Sequence, residues 1–130
     1  MKKTILAAAM ALGFAGTASA QDAVEGIWQT QVDDGAFAYV TMAPCGAAFC
    51  GVISRTFNSE GEYASENIGR QLVWDMQAAA SGRYKNGQIW QPSTDKIFKS
   101  KMSLSGDVLK VSGCVAGGLI CKKQTWNRVN

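Results

Sequence analysis

The chain has 130 residues, with thirteen Lys and Arg against ten Asp and Glu, and its formal charge is +3. Lys2 and Lys3 lie in a segment that we expect to be removed, so eleven basic and ten acidic residues remain, near +1. A balance so close to neutral gives no electrostatic case for nucleic acid or an anionic membrane as partner. The chain has no histidine, which excludes Ser-His-Asp and Cys-His catalysis and H-E-x-x-H metal sites.

The first twenty residues have the three parts of a secretory signal peptide. Two lysines precede an apolar run, and Ala18-Ser19-Ala20 is a small-residue cleavage site. The run is too short to span a membrane, and no later stretch approaches the ~18 apolar residues that a span needs. We therefore predict a cleaved signal peptide over residues 1–20. Residues 21–130 are predicted to form a single domain in the bacterial periplasm or outside the cell.

Short alternating segments, separated by Gly, Asn and Asp, make up the rest of the chain, with no sustained helical period. The predicted strands are Glu25–Gln31, Phe37–Ala43, Ala48–Phe57, Arg70–Met76, Gly82–Gln91, Thr94–Leu104, Val108–Cys114 and Ile120–Val129. Eight antiparallel strands on short connections indicate an all-β fold, either a small up-and-down barrel or a tight sandwich.

Three segments depart from this rhythm. Asn58–Gly69 is polar and is predicted to be a long exposed loop. Asp75–Ala80 has the composition of a helical turn, and Asn86-Gly87 is a turn signal that would divide one predicted strand into two.

Alternation along Thr94–Leu104 gives that strand two different faces. Phe98, Ser100, Met102 and Leu104 share one face, while Lys99 and Lys101 lie on the other. A lysine-bearing outer face suits a soluble barrel better than one that faces lipid.

Four cysteines in an exported protein indicate two disulfides, for which three pairings are possible. We favour Cys45–Cys50 and Cys114–Cys121, because each pair brackets turn-like residues and would lie across a hairpin. Bridges this short contribute about 2–2.5 kcal/mol each to stability on the chain-entropy model. A zinc site is the alternative, but an oxidising compartment and the lack of paired C-x-x-C spacing disfavour it. We expect no metal.

Acidic residues offer the remaining route to catalysis. Carboxylate-pair chemistry from Glu60, Glu62, Glu66 or Asp75 is conceivable, as is calcium binding by Asn58, Glu60 and Glu62. A solvated loop accounts for the same residues without either function. We expect no catalytic residue and no cofactor, and interpret the protein as non-enzymatic.

Gly26-x-Trp28 opens the first predicted strand, and Trp126-x-Arg128 closes the last. In a closed barrel these strands are neighbours, so an arginine from one can stack on a tryptophan of the other, worth about 0.5–2 kcal/mol. The arrangement resembles the calycins, the lipocalin-like superfamily, in which a G-x-W packs against a late arginine. We interpret these residues as a structural closure of the barrel.

Five aromatic residues are candidates for lining an interior pocket: Tyr39, Trp74, Tyr84, Trp90 and Phe98. An ordinary core is the alternative. An eight-stranded barrel is just wide enough to be filled by side chains or to hold one small ligand. With strands this short, we expect a mostly filled interior.

The same residues carry a resemblance to a family of secreted bacterial proteins known as domain of unknown function 2147. The matching pieces are Gly26-x-Trp28, Cys45-Gly46-x-x-Phe49-Cys50-Gly51-x-Ile53, Asn86-Gly87-x-Ile89-x-x-Pro92, Lys101-Met102-x-Leu104, Leu109-x-Val111-x-Gly113-Cys114, and Cys121 through Gln124-Thr125-Trp126-x-Arg128-Val129. The resemblance implies a lipocalin-like barrel in a secreted or periplasmic protein, and brings no known activity or catalytic residue. Three positions depart from the family's habit: Gln91, Asn86 and Asp95.

Two functions fit these observations. The first is binding of a small apolar or amphipathic molecule in the open end of the barrel. The second is a protein-binding module, such as an inhibitor of an envelope protease or a lytic enzyme, for which rigid loops lower the entropic cost of binding. The loop Asn58–Gly69 would be the contact element of that module.

Overall fold

The structure is a computed structural model that describes residues 21–130, so the predicted signal peptide lies outside the described residues. Its nine strands are β1 Gly26–Gln29, β2 Phe37–Cys45, β3 Ala48–Asn58, β4 Gly61–Tyr63, β5 Gln71–Ala78, β6 Arg83–Gln91, β7 Lys96–Ser105, β8 Val108–Val115 and β9 Ile120–Arg128. A single 3-10 turn, Ala116–Gly118, connects β8 to β9. The predicted strands are confirmed to within a few residues at their ends.

Eight of these strands close into a ring. Each pairs antiparallel with its neighbours in the order β1-β2-β3-β5-β6-β7-β8-β9, and β9 pairs with β1 at Trp28↔Arg128. The short strand β4 adds to β3 at Asn58↔Gly61, beyond the residues that pair with β5, and so stays outside the ring. The prediction of an eight-stranded antiparallel barrel is confirmed, and the sandwich alternative is not observed.

The barrel has two distinct ends, because each successive strand of the ring reverses direction. One end, here called the closed end, carries the β2–β3, β5–β6 and β7–β8 turns together with residues 22–25 and 128–130. The other, the open end, carries the β1–β2 loop, the 58–70 segment, and the β6–β7 and β8–β9 turns.

Each end has one disulfide. Cys45–Cys50 clips the β2–β3 hairpin at the closed end, and Cys114–Cys121 clips the β8–β9 hairpin at the open end. The predicted pairing is confirmed. Two disulfides are compatible with an exported protein, and across residues 21–130 no helix is long and apolar enough to cross a bilayer.

Gly51 shows why this hairpin sequence needs glycine after its second cysteine. A Cβ built on Gly51 would lie 2.6 Å from Met42 Sδ and 2.7 Å from Val40 Cγ1. Because such distances are not tolerated between atoms, a side chain here would push β3 away from β2. The glycine therefore sets how closely the interior residues of the two strands pack.

Two of the local predictions were wrong, for one reason. Asp75–Ala80 does not form a helical turn: β5 continues to Ala78, which pairs with Tyr84, and Met76 is fully buried in the core. Asn86-Gly87 does not divide β6 either, because the register shifts there while the strand continues. In both places sheet pairing and burial override a local preference of the sequence.

The interior follows the predicted alternation. Along β7, Ser100 and Met102 are buried while Lys99 and Lys101 are exposed, which confirms the facing predicted for this strand. The largest fully buried side chains of the described residues are Trp28 and Trp126, and both lie toward the closed end. Packing is therefore dense on that side of the barrel.

Candidate functional site

Residues 22–25 seal the closed end by crossing it from β1 to the opposite wall. The Tyr84 hydroxyl on β6 donates a hydrogen bond to Asp22 Oδ1. Between these walls Val24 is fully buried, and its carbonyl accepts the indole N–H of Trp28 at 2.9 Å. Since β6 lies opposite β1 in the ring, this short segment spans the full width of the barrel.

Arg128 fixes the seal from outside. Its guanidinium carbon lies 4.3 Å from the centre of the Trp28 ring, a cation–π distance. The same group donates to the Ala23 carbonyl at 2.6 Å and to the Glu25 carbonyl at 3.1 Å, and Nε pairs with Asp107 at 3.0 Å. The arginine thus ties the N-terminal segment to the last strand.

Gly26 makes room for that arginine. Its φ of +129° is a conformation that side chains rarely adopt, and a Cβ there would lie 3.1 Å from Arg128 Nη1. Trp126 is fully buried on the interior face of β9, and its indole N–H donates to Gln124 Oε1 at 2.7 Å. The four residues of the predicted closure therefore lie at the closed end and the adjoining core.

The open end holds a cavity of about 720 Å³. This volume is in the range of small-molecule pockets, about 300–1,000 Å³. Its inner wall is apolar and is formed by Ala38, Ile53, Leu72, Ile89 and Phe98. The expectation of a mostly filled interior therefore holds for the half of the barrel at the closed end and is wrong for the other half.

Polar groups surround the mouth of this cavity. They come from Thr30, Gln31, Asp33, Asp34, Thr56, Ser65, Asn67, Gln91, Ser93, Lys122, Lys123 and Gln124. An apolar wall with a polar rim is complementary to an amphipathic molecule, whose apolar part would contact the wall and whose polar part would contact the rim.

The β1–β2 loop, residues 30–36, crosses the mouth and is here called the strap. Its tip is a tight turn in which Asp33 and Ala36 exchange both backbone hydrogen bonds, at 2.8 and 3.1 Å. The intervening Asp34 and Gly35 have φ of 53° and 75°, as expected for Asp-Gly in a two-residue hairpin turn. The strap is thus a preformed element rather than an irregular loop.

Two exposed hydrogen bonds hold the tip of the strap to the far wall. Asp33 Oδ2 accepts from Gln91 Nε2 at 3.4 Å and from Ser93 Oγ at 3.2 Å. At its base Gln31 Oε1 accepts the backbone N–H of Thr125 at 2.8 Å. The two bonds that attach the tip are exposed, and at 3.2 and 3.4 Å they are longer than those of the closed-end seal. Exposed hydrogen bonds of this kind give little resistance to local opening of the strap.

The five aromatic residues predicted to line a pocket are distributed over different environments. Phe98 lines the cavity. Tyr84 is on the interior but at the closed end, where its ring packs edge-on against Phe49 at 5.8 Å. Tyr84 does not border the cavity, and neither do Tyr39, Trp74 and Trp90. The structure therefore does not support the expected pocket-lining role for these four residues.

Trp90 and Tyr39 lie under arginines on the outer face of the barrel. The Arg70 guanidinium carbon is 3.7 Å from the centre of the Trp90 ring, and Asp95 accepts the indole N–H at 2.8 Å. Arg55 lies 5.5 Å above the Tyr39 ring. Trp74 is half-buried and packs against the core. These rings are covered by cations and neighbours rather than by a ligand.

Asp95 has an unusual backbone conformation in addition to its contact with Trp90. Its φ of 55° is in the left-handed region that favours glycine. The carboxylate compensates by accepting the Trp90 indole N–H. Asp95 does not border the cavity.

The segment Asn58–Gly69, predicted to be a long exposed loop, is mostly exposed but partly ordered as a strand. It contains β4, and its Ser65 backbone N–H donates to Thr56 Oγ1 at 3.3 Å. Glu62 pairs with Arg55 at 2.5 Å, and this hydrogen-bonded partner lowers the pKa of Glu62. Because the segment contributes residues to the cavity mouth, it belongs to the same site as the strap.

No cluster of acidic residues forms a site in the described part of the chain. Within residues 21–130 there is no group of three or more Cys, Asp or Glu side chains placed to hold a metal ion. Glu60 and Asp75 are exposed at separate positions, one beside β4 and one at a distortion of β5 with φ of 57°.

Sequence reasoning missed the residues that dominate the cavity. Ile53, Leu72 and Ile89 read as ordinary strand residues, and the strap was noticed only as a chain break. One available signal was the alternation on β9, which places Lys122 on the same face as the buried Trp126. A lysine on an interior face was therefore detectable before the fold was known.

Comparisons with known proteins agree with this fold. The family model for uncharacterized proteins conserved in bacteria, DUF2147, matches residues 26–128. Among solved structures, protein HP1028 from the human pathogen Helicobacter pylori, described as belonging to the lipocalin family, is similar with a TM-score of 0.67 and 17% sequence identity. The similarity covers 85% of this chain and 85% of that chain. No curated protein matches the sequence.

Proposed function

The chain belongs to the DUF2147 family of uncharacterized bacterial proteins, and we propose that it is a non-enzymatic protein that binds one small apolar or amphipathic molecule in the open end of its barrel. A lipocalin-like fold suggests ligand binding, and the cavity gives that suggestion a place in this chain. Export by the predicted signal peptide would put the protein in the periplasm or outside the cell.

The observation that carries the proposal is the contrast between wall and rim in the 720 Å³ cavity. Ile53, Leu72 and Ile89 are 3–7% exposed and present their side chains to the same space. Burial of apolar area contributes about 25 cal/mol per Å², so an apolar ligand would gain affinity mainly from this wall. The polar rim would then select its orientation.

Filling the cavity tests the proposal. Gly113 lines it, and a Cβ at this position would meet Ile89 Cγ2 and Phe98 Cβ at 3.5 and 3.6 Å, which is ordinary contact. The first side-chain carbon of Gly113→Leu therefore fits without a clash, and the rest of the leucine would occupy volume at the cavity wall. We expect it to abolish binding of the neutral apolar probe N-phenyl-1-naphthylamine, measured by fluorescence titration.

Lys110→Leu is the matched control, because Lys110 is exposed on the outer face of the same strand. This variant should bind the probe as the native protein does. Equal binding to native protein and to Gly113→Leu would contradict the proposal, as would absence of binding to native protein. Mass spectrometry of molecules extracted from natively purified protein would identify the natural ligand.

A further inference from the structure

We propose that the ligand is an anionic amphiphile, a molecule with an apolar tail and a carboxylate or similar head, and that Lys122 binds the head. This inference rests on the proposed function and specifies the ligand class of the same cavity. Three observations support it: the register of β9 at Lys122, the glycine opposite Lys122 on β8, and the absence of Lys122 from the ion pairs of residues 21–130.

Register places Lys122 on the interior face at the mouth. Gln124 and Trp126 follow it along β9 toward the closed end, on the same face, and Trp126 is fully buried. Lys122 borders the cavity and remains exposed, so its ammonium group keeps access to water. A lysine in this position can hold its charge at the rim while its methylene chain lies along the apolar wall.

The strand β8, which pairs with β9 beside Lys122, leaves space for a ligand. The residue of β8 paired with Lys122 is Gly113, which has no side chain, and Ile89 and Phe98 lie next to that glycine. A molecule in the cavity can therefore have apolar contacts within one strand's width of the ammonium group. This combination of a cation above an apolar surface fits an amphiphile whose charge is negative.

Nearby acidic groups do not neutralise this lysine. Within residues 21–130 the ion pairs are Arg55–Glu62 and Arg128–Asp107, and neither involves Lys122. The acidic residues that border the cavity are Asp33 and Asp34 of the strap, and neither forms an ion pair with Lys122. Asp33 accepts hydrogen bonds from Gln91 and Ser93 on the far wall. The remaining basic residue at the cavity, Lys123, adds positive charge on the same side.

The test compares two ligands that differ only in the head, dodecanoate and dodecanol, by displacement of N-phenyl-1-naphthylamine. We expect native protein to bind dodecanoate about twofold to fivefold more tightly than dodecanol, the range for one solvated ion pair. Lys122→Met should bring this ratio close to one while leaving dodecanol affinity intact. Raising the salt concentration should reduce the preference of native protein.

Lys101→Met is the matched control, since Lys101 is an exposed lysine on the outer face of β7 and does not border the cavity. It should keep the full preference for dodecanoate, and Lys123→Met should keep most of it. Retention of the preference in Lys122→Met would overturn the role of that residue. Equal affinity of native protein for both ligands would overturn the inference alone, whereas binding of neither would overturn the proposed function with it.

Discussion

The two ends of the barrel share a disulfide-clipped hairpin and differ in almost everything else. At the closed end, Trp28 is fully buried beneath Arg128, and the 22–25 segment crosses from wall to wall. At the open end, Val32 and Ile120 border a cavity and are 61% and 64% exposed, and Leu119 in the nearby β8–β9 turn is 87% exposed. Similar clips thus support a packed core on one side and an accessible site on the other.

This difference indicates a division of labour along one sheet. Stabilising contacts concentrate where residues 22–25 meet the end of β9, so the opposite end can carry exposed apolar side chains and a cavity. The net stability of a small domain is only about 5–15 kcal/mol, so an unfilled cavity at one end must be offset by close packing at the other. The predictions that follow test whether stability and binding separate in this way.

Loss of the buried tryptophan should have the largest effect. Trp28→Ala removes a fully buried ring, its hydrogen bond to Val24 and the surface on which Arg128 stacks. We expect the free energy of unfolding to fall by about 3–5 kcal/mol, measured by urea denaturation. Phe98→Ala at the half-buried cavity wall is the counterpart and should cost clearly less. Equal losses would remove the distinction between the ends.

Removal of either disulfide should reveal the same separation. Replacing both cysteines by alanine in Cys45–Cys50 or in Cys114–Cys121 should lower the free energy of unfolding by about 2 kcal/mol in each case, since the closed loops are similarly short. Only the second replacement should weaken probe binding, because Cys121 borders the cavity. Weakened binding in the first would show that the closed end also shapes the site.

Alkaline pH should act on the closed end. Burial, together with the hydrogen bond to Asp22, raises the pKa of Tyr84 well above its usual value near 10. Below pH ~10 the hydroxyl is protonated in both states and its contribution to stability is fully present. Above that pH the unfolded chain releases the proton first, so the free energy of unfolding falls by up to ~1.4 kcal/mol per pH unit.

Tyr84→Phe should remove this part of the alkaline decline. At pH 7 it should cost about 1 kcal/mol, the typical value of one hydrogen bond. Urea denaturation at a series of pH values from 7 to 11 measures both effects. Tyr39→Phe, which changes no hydrogen bond of the closed end, is the control. An unchanged decline in Tyr84→Phe would place its origin elsewhere.

Release of the strap should have the smallest effect on stability. Asp33→Ala deletes the acceptor for Gln91 and Ser93, both exposed contacts, and should change the free energy of unfolding by less than ~0.5 kcal/mol. Probe dissociation, followed by stopped-flow fluorescence, should be several-fold faster. Asp34→Asn keeps the turn and those contacts, and should leave the rate unchanged. An unaltered rate in Asp33→Ala would mean that the strap does not limit exchange.

Much of the fold was predictable because its determinants are local. Alternating segments and turn residues give the strands, and cysteines that bracket turns give the pairing seen in Cys45–Cys50 and Cys114–Cys121. The antiparallel ring then follows from short connections. Asp75–Ala80 shows the limit of this reasoning, since burial of Met76 and pairing of Ala78 outweigh the helical preference of the segment.

The cavity was less predictable because bulges change which face a residue occupies. Tyr84 and Trp90 are six residues apart, so an unbroken strand would put both on one face. Asn86, with φ of 62°, lies where the register of β6 shifts, and Tyr84 then faces inward while Trp90 lies beneath Arg70 outside. Sequence alternation counts residues evenly and cannot locate such a shift, so the aromatic set was assigned together and separated in the fold.

Because residues 22–25 seal the closed end, the cavity of the barrel opens at the opposite end and does not form a channel through the barrel. On the proposed function, a ligand held against Ile89 and Phe98 would have the fully buried Trp28 and Trp126 toward the closed end. It would enter and leave by the mouth at the open end, so exchange of the ligand would take place beside the strap and Lys122.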